Sequence, residues 1–153
     1  MCAGSLGLGL VLLALALPTA AALAAVPDGV WLMAQKVALQ IYDCGGLLCG
    51  RIVWLQHPRD PAGQPARDKD NPDAALRQRP LCGQIVLWGL QPAGPDHWRG
   101  GWLYNPDDAK TYRIKAELRS PDTFAARIYL GIPLFGENRT LVRVPRQNSE
   151  GWC

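Results

Sequence analysis

The sequence predicts an all-β fold, a closed antiparallel barrel of about eight short strands that follow one another up and down. Apolar and β-branched residues recur in short runs, and clusters of Gly, Pro, Asn and Asp separate those runs. Most separators are short, which favours hairpins between neighbouring strands. No long segment after residue 27 has helical periodicity. Eight strands closed in this way leave an interior that side chains just fill, or that holds one small ligand.

Residues 1–24 have the layout of a secretory signal peptide. Residues 1–27 contain no charge, an apolar run ends at Pro18, and small residues follow. An Ala-x-Ala match at residues 22–24 predicts cleavage after its last alanine. The alternative is a retained membrane anchor, since the uncharged stretch reaches the roughly 20 residues that span a bilayer. Cleavage leaves no stable membrane span and predicts a periplasmic or secreted protein.

The remaining chain is predicted to be a single barrel domain at residues 25–145 with a tail at residues 146–153. It carries the whole formal net charge of +3. Acidic residues lie between the basic ones, whereas a nucleic-acid binder shows a clustered basic stripe. We therefore expect no nucleic-acid partner.

The strands are predicted from alternation and turn signals. The clearest is residues 111–118, where Tyr112 and Ile114 alternate with Arg113 and Lys115, as in a half-buried antiparallel strand. In chain order the predicted strands cover residues 29–33, 37–43, 47–55, 81–90, 97–104, 111–118, 124–130 and 139–144.

One long loop, residues 56–80, interrupts the strand pattern and is rich in Pro, Asp, Arg and Gly. Connections of this length are uncommon in compact domains and are often functional lids or ordered surface loops. Residues 72–77 predict one helical turn within it, with Asn71 as the N-cap and Pro72 at the first position.

Four cysteines follow the signal segment, and an even number in an exported domain favours disulfides. A four-residue turn would set Cys44 opposite Cys49, the pairing that we favour. Cys82 and Cys153 then form the second bond or stay reduced. A tight turn on the two glycines after Cys44 would instead pair it with Leu47. A zinc site is disfavoured, because no His lies at a useful spacing.

Six short motifs of the chain are distinctive when taken together: Cys49–Leu55, Gly63–Pro65, Asp68–Asp73, Leu76–Gly83, Trp98–Pro106 and Lys110–Tyr112. These motifs resemble a family of exported bacterial proteins known as a domain of unknown function, DUF2147. The resemblance runs from about Gly29 to Pro145. Two departures are visible: residues 107–110 lack the usual glycine before the lysine, and Leu141 replaces an expected tryptophan.

The resemblance implies a lipocalin-like barrel and no established activity. Gly29-x-Trp31 is similar to the motif that opens the first lipocalin strand, where the tryptophan closes one end of the barrel. In that fold an arginine of the last strand lies against the tryptophan. Arg143 is placed to do this, through a favourable cation–π contact.

No catalytic set emerges from the residues, and we expect no enzyme and no cofactor. The two histidines, His57 and His97, lie in the long loop and at a strand start. Ser120 and Ser149 lie in a turn and in the tail, without the strained elbow of a nucleophilic serine. An enzyme would need a polar cleft with a histidine beside a carboxylate.

The acidic part of the long loop is the best candidate for a metal. Asp68, Asp70, Asn71 and Asp73 offer several oxygen ligands within six residues, as calcium prefers. Pro72 and the lack of a following glycine disfavour a calcium loop. We expect these side chains to bond nearby backbone amides instead, with no metal. Three arginines flank the acids and are expected to pair with them: Arg67, Arg77 and Arg79.

Aromatic residues are the candidates for binding. If their strand faces point inward, they line an apolar pocket at one mouth of the barrel. The alternative is a core that fills a barrel without a cavity. The candidate pocket residues are Trp54, Trp88, Trp102, Tyr104 and Tyr112.

The favoured hypothesis is an exported, non-enzymatic barrel that binds a small apolar or amphipathic ligand, with the mouth partly covered by residues 56–80. The alternative is an interaction module with a filled barrel, whose partner is an envelope protein. That partner would meet an outer strand or the basic faces of Arg113, Lys115 and Arg127.

Overall fold

The computed structural model describes Met1, residues 27–145 and Cys153. The predicted signal segment and the tail up to residue 152 lie outside the described residues, apart from Met1. Within the described residues every strand pairs with its neighbour in sequence, and the last strand pairs with the first, so the sheet is a closed antiparallel barrel. The strands are β1 (Gly29–Met33), β2 (Val37–Asp43), β3 (Leu48–Leu55), β4 (Ile85–Pro92), β5 (His97–Asn105), β6 (Lys110–Ser120), β7 (Thr123–Tyr129) and β8 (Glu137–Val144).

The predicted up-and-down barrel is therefore confirmed, and the limits of β1 and β2 are as predicted. The largest difference lies at β4, which begins at Ile85 and not at residue 81. Residues 81–84 form a turn, in which the Gln84 amide donates to the Leu81 carbonyl over 3.1 Å. Leu81 and Cys82 are half-buried in this turn, and their apolar character is the same as that of a strand residue.

The β2–β3 hairpin turns on the two glycines after Cys44. Gly45 and Gly46 have φ values of +94° and +81°, and the Cys44 amide donates to the Leu47 carbonyl over 2.9 Å. This is the tight turn that was expected to weaken a Cys44–Cys49 bond. The bond forms nevertheless, diagonally across the hairpin, with the two Cα atoms 5.9 Å apart. That separation lies in the usual range for a disulfide.

The second disulfide joins Cys82, just before β4, to Cys153. It closes a loop of 71 residues in sequence separation, against five for Cys44–Cys49. The described part of the chain thus has one disulfide within a hairpin and one between distant segments.

A bulge in β5 changes which aromatic side chains face inward. The register of β5 with β6 shifts between Trp98 and Gly101. A shift of one residue reverses the facing of all later side chains. Trp98 is consequently in the core, whereas Trp102 is exposed. Trp98 and Trp102 therefore lie on opposite faces, although regular alternation along the strand would place them on the same face.

One half of the barrel interior is filled by large rings, and we call it the filled end. The Phe124 ring lies 5.5 Å from that of Trp31 and 5.8 Å from that of Trp98. All three side chains are buried, together with Leu90 and Leu141. The opposite half, which begins at the β1–β2, β5–β6 and β7–β8 connections, is the open end.

The long loop between β3 and β4 folds against the open end. Two isolated bridges order it, Arg59 with Pro65 and Arg67 with Pro80. Its predicted helical turn is present as a 3₁₀ turn at Ala74–Leu76, and Asp73 caps it by accepting from the Ala75 amide. The predicted cap, Asn71, lies two residues too early.

Among the described residues, no helix has the length and apolar character needed to cross a bilayer.

Candidate ligand cavity at the open end

A cavity of about 720 Å³ opens at the open end of the barrel. Ligand pockets in proteins commonly measure about 300–1,000 Å³, so the volume suits a ligand of drug or fatty-acid size. Its wall is apolar and comes from strands on all sides of the barrel. The principal apolar lining residues are Val37, Leu39, Ile52, Val86, Leu103 and Ile128.

The cavity exists because the size of inward side chains changes along the barrel. At the filled end the inward positions carry indole and phenyl rings, which meet across the interior. At the open end they carry Val, Leu and Ile, which are too short to meet. The taper of side-chain size thus leaves one end packed and the other hollow.

Polar side chains surround the cavity entrance. Lys36, Asp107, Asp108 and Glu137 line this rim with Arg139. Glu137 is paired with Arg139. An entrance with charges above an apolar wall fits an amphipathic molecule, whose polar end can stay in water.

Tyr112 lies in the wall just below this rim. Its hydroxyl donates to the Asp108 carboxylate. That hydrogen bond is the main reason that the pKa of Tyr112 is raised. The phenol is therefore held in its neutral form, as a fixed hydrogen-bonding group beside the entrance.

Tyr104 joins the cavity to the long loop. Its ring lines the cavity, and its hydroxyl donates to Asp68 Oδ1 over 2.7 Å. The Asn71 side-chain amide donates to the Tyr104 hydroxyl over 3.2 Å. Burial, together with the hydrogen bond to Asp68, raises the pKa of Tyr104 to about 12.

The Asp68 carboxylate is the centre of a buried polar cluster. Besides Tyr104, its donors are Asn71 Nδ2 at 2.7 Å, Gln84 Nε2 at 3.0 Å and Arg79 Nη2 at 3.4 Å. Burial favours a higher pKa for Asp68, but these hydrogen bonds outweigh it, and the pKa lies below its usual value. The charged carboxylate therefore fastens the long loop to β5 and to the turn that precedes β4.

The acidic segment that was considered for calcium uses its side chains within the loop. Asp68 binds side chains, Asn71 Oδ1 accepts from the Asp73 amide, and Asp73 caps the 3₁₀ turn. Of the flanking arginines, Arg79 pairs with Asp68. Across residues 27–145, no group of three or more His, Cys, Asp or Glu side chains is placed to hold a metal ion.

The five aromatic residues predicted for the pocket are divided among three places. Tyr104 and Tyr112 line the open-end cavity. Trp54 lines a separate recess beside Cys82 and Cys153. The remaining two, Trp88 and Trp102, are cross-strand partners that are exposed on the outer wall.

Arg113 extends this outer-wall pair of tryptophans. Its guanidinium lies 4.2 Å from the centre of the Trp102 ring, a cation–π distance. Arg113 and Trp102 are direct cross-strand partners between β6 and β5. One of the basic positions proposed for partner binding is therefore engaged with a neighbouring side chain.

Trp31 and Arg143 are direct partners in the β1–β8 pairing. The guanidinium lies 4.2 Å from the Trp31 ring centre and donates to the carbonyls of Asp28 and Pro121, each over 2.6 Å. A Cβ on Gly29 would lie 2.5 Å from Arg143 Nη1. The terminal guanidinium could move, but Gly29 also has a φ of +140°, which residues with a side chain rarely adopt. The backbone conformation, together with the close arginine, favours glycine at this position.

His97 is the histidine that lies beside a carboxylate. Its Nε2 is 3.5 Å from Glu117 Oε2, on the exposed outer wall. Glu117 also pairs with Arg119, and this contact is the main reason that the pKa of Glu117 is lowered. The pair borders a second cavity of about 430 Å³, which Arg99, Lys115 and Arg119 also line. His57 is exposed in the long loop.

The β7–β8 loop, residues 130–136, contributes to the cavity, although none of its residues was a predicted site residue. Leu130 and Phe135 line the cavity, and both are also exposed. Three large apolar residues in a predicted loop, Ile132, Leu134 and Phe135, were the available signal in the sequence.

Comparison with known proteins agrees with this architecture. Residues 29–143 match a family described as an uncharacterized protein conserved in bacteria, DUF2147. A solved Helicobacter pylori protein, described as belonging to the lipocalin family, superposes with a TM-score of 0.69 at 22% identity, over 82% of this chain and 87% of that one. No curated protein matches the chain. The chain belongs to the DUF2147 family, with a lipocalin-like fold.

Proposed function

We propose that this DUF2147 member is a non-enzymatic binding protein for a small amphipathic ligand. The apolar part of the ligand occupies the open-end cavity, and its polar part stays at the charged rim. One observation carries the proposal: a cavity of about 720 Å³ with an apolar wall lies at the unfilled end of a closed barrel. In this proposal Trp31 and Arg143 close the opposite end.

The residues around the cavity support this placement of the apolar and polar parts of the ligand. Tyr104 and Tyr112 line the cavity and keep their hydroxyls in hydrogen bonds to Asp68 and Asp108. The rim carries Lys36 and the Glu137–Arg139 pair beside Asp107 and Asp108. A polar head group would stay among these charges while its chain lies against Val, Leu and Ile.

The two disulfides support a periplasmic or secreted location, because such bonds persist in oxidising compartments. The proposed signal segment at residues 1–24 is the route to that compartment. A cell fractionation with a thiol-trapping assay tests both points, with oxidised cysteines expected only in the exported fraction.

Displacement of a hydrophobic dye by fatty acids of graded length tests the binding proposal. We expect saturable dye binding and displacement that is strongest for one range of chain lengths. Ile128→Trp adds an indole inside the cavity and should lower dye affinity at least tenfold. Ile85→Trp adds the same group on the outer wall, where Ile85 is exposed, and should leave affinity unchanged.

The comparison of these two variants decides the result. Equal dye affinity in Ile128→Trp and Ile85→Trp would place the dye outside the cavity and overturn the proposal. An absence of saturable binding by any chain length would do the same. Both variants keep all eight strands, so circular dichroism should match the parent.

A second candidate function is an interaction module for an envelope partner. The exposed β7–β8 loop favours it, because Leu134 is 75% exposed and Phe135 is 79% exposed. Apolar side chains grouped in this way often mark a docking surface. In this case substitutions in the loop, rather than in the cavity, would abolish function in cells.

A further inference from the structure

We propose that the β7–β8 loop docks the open end of the barrel onto a lipid membrane surface. The docking loop comprises Leu130, Ile132, Pro133, Leu134 and Phe135, all of which are exposed. This inference rests on the proposed function, because docking would serve to collect an amphipathic ligand from the membrane. The docking itself can be measured separately.

The backbone of the docking loop suits an apolar environment. Pro133 has no N–H, and the Phe135 and Gly136 amides donate to the Ile132 and Pro133 carbonyls. An unsatisfied backbone group is costly in contact with lipid. Internal pairing of these groups reduces that cost when the loop enters the head-group region.

Arg127 satisfies further backbone groups and holds the loop in place. Its Nε donates to the Pro133 carbonyl over 2.6 Å, and its Nη2 donates to the Leu134 carbonyl over 2.9 Å. Its Nη1 donates to Asn138 Oδ1 over 2.9 Å. The guanidinium therefore bonds to both sides of the loop and leaves Ile132 and Leu134 exposed to solvent.

The apolar surface continues from the docking loop into the cavity. Leu130 and Phe135 belong to both, because each is exposed and each lines the cavity. An acyl chain that leaves a bilayer at Leu134 would meet Phe135 next and then the cavity wall at Ile128. A lipid surface fits this continuity, since it contains the same kind of molecule that the cavity can hold.

Other partners fit the open end less well. A partner strand has no edge to pair with, because each strand of the described barrel has two neighbours. The rim carries Lys36 and Arg139 against Asp107, Asp108 and Glu137, so it offers no strong charge of one sign to an acidic or basic partner. Insertion of the apolar side chains of the docking loop into the membrane remains as the source of affinity for a partner.

Flotation with phosphatidylcholine vesicles tests the docking. A chain that begins at Ala25 contains every strand and both disulfides, and its use removes the apolar segment that precedes them. We expect binding to neutral vesicles that persists when salt is raised from about 0.1 M to about 1 M, because screening does not weaken apolar insertion.

Two matched double variants identify the surface. Leu134→Ser/Phe135→Ser should lower the vesicle partition coefficient roughly tenfold or more, since each apolar side chain contributes by its buried area. Ile85→Ser/Val142→Ser removes apolar residues that are 52% and 53% exposed on the outer wall, and it should bind vesicles as the parent does.

Three results would overturn the docking proposal: equal partitioning of both double variants, binding confined to anionic vesicles and abolished by salt, or loop-dependent self-association without vesicle binding. Ile128→Trp separates the two proposals, because it should lose dye binding and keep vesicle binding. Dye binding without vesicle binding leaves only the cavity proposal standing, and vesicle binding without dye binding leaves only the docking proposal.

Discussion

The two ends of this barrel are built from the same strands but are stabilised in different ways. At the filled end Trp31, Trp98 and Phe124 pack against one another, and Arg143 covers them. At the open end the interior is hollow, and the long loop is fastened by the buried carboxylate of Asp68. Apolar packing thus stabilises one end, and a charged hydrogen-bond cluster stabilises the other.

This difference separates stability from binding within one small domain. Closely packed rings leave no space for a ligand, so the filled end contributes mainly to folding. The open end gives up packing to leave a cavity of about 720 Å³. Polar contacts such as those of Asp68 are then needed to order the loop beside that cavity without filling it.

The largest expected effect tests the role of the filled end. Trp31→Ala removes a fully buried ring and should lower the free energy of unfolding by about 3–5 kcal/mol. Ile128→Ala, at the cavity wall, should cost only about 2 kcal/mol, the low end for such a truncation, because its side chain already faces open space. Urea denaturation followed by circular dichroism measures both, and equal losses would contradict the comparison.

For the disulfides, the larger loss of stability is expected at the open end. Cys82→Ser/Cys153→Ser opens the 71-residue separation near the open end and should cost about 4 kcal/mol. Cys44→Ser/Cys49→Ser opens a separation of five residues and should cost about 2 kcal/mol. Thermal unfolding under non-reducing conditions tests this, and a larger loss for the hairpin pair would refute the chain-entropy account.

A smaller, pH-dependent effect is expected at the open end. The lowered pKa of Asp68 means that its carboxylate stabilises the fold above the unfolded-state pKa of about 4. This stability is lost as the pH falls from about 4 through the lower folded-state pKa. Asp68→Asn should cost about 2 kcal/mol at neutral pH and should weaken the acid dependence of unfolding.

Hydrogen exchange in the long loop measures the local effect of Asp68→Asn. Hydrogen exchange at residues 66–84 should rise in Asp68→Asn, while exchange in β1 and β8 at the filled end stays as in the parent. Tyr104→Phe removes one donor to Asp68 and should give a weaker form of the same result. Uniform exchange changes at both ends would show that Asp68 acts on the whole barrel.

The smallest expected effect concerns Arg143, which stacks on Trp31 at the filled end. Arg143→Lys keeps the charge but loses the planar stack on Trp31 and one of the two carbonyl contacts. A loss of about 1 kcal/mol is expected. Urea midpoints measure it, and Arg139→Lys at the open-end rim is a control that should change stability little.

Much of the fold was predictable because strands and turns leave local signals. The alternation in β2 and β6 and the glycines after Cys44 were sufficient to predict hairpins between strands that follow one another in sequence. The facing of the aromatics was less predictable, since one bulge near Gly100 reversed Trp102 relative to Trp98. The Gly100-Gly101 pair was the only local sign of that bulge.

The candidate site was predicted in part. Tyr104 and Tyr112 line the cavity, whereas Trp88 and Trp102 are on the outer wall. The Asp68 cluster could not be predicted, because its partners lie three to 36 residues away and meet only when the loop folds back on β5.

The sequence by itself determined the strand order, the hairpin turns and the residues able to cross-link, since each depends on neighbours in the chain. Tertiary structure decided which side chains enter the barrel, where the hollow lies and what fastens the long loop. These features depend on register and on the meeting of distant strands. A bulge of one residue was enough to place Trp102 on the outer wall and not in the proposed pocket. Such a bulge leaves the composition and the hydrophobic pattern of the sequence almost unchanged.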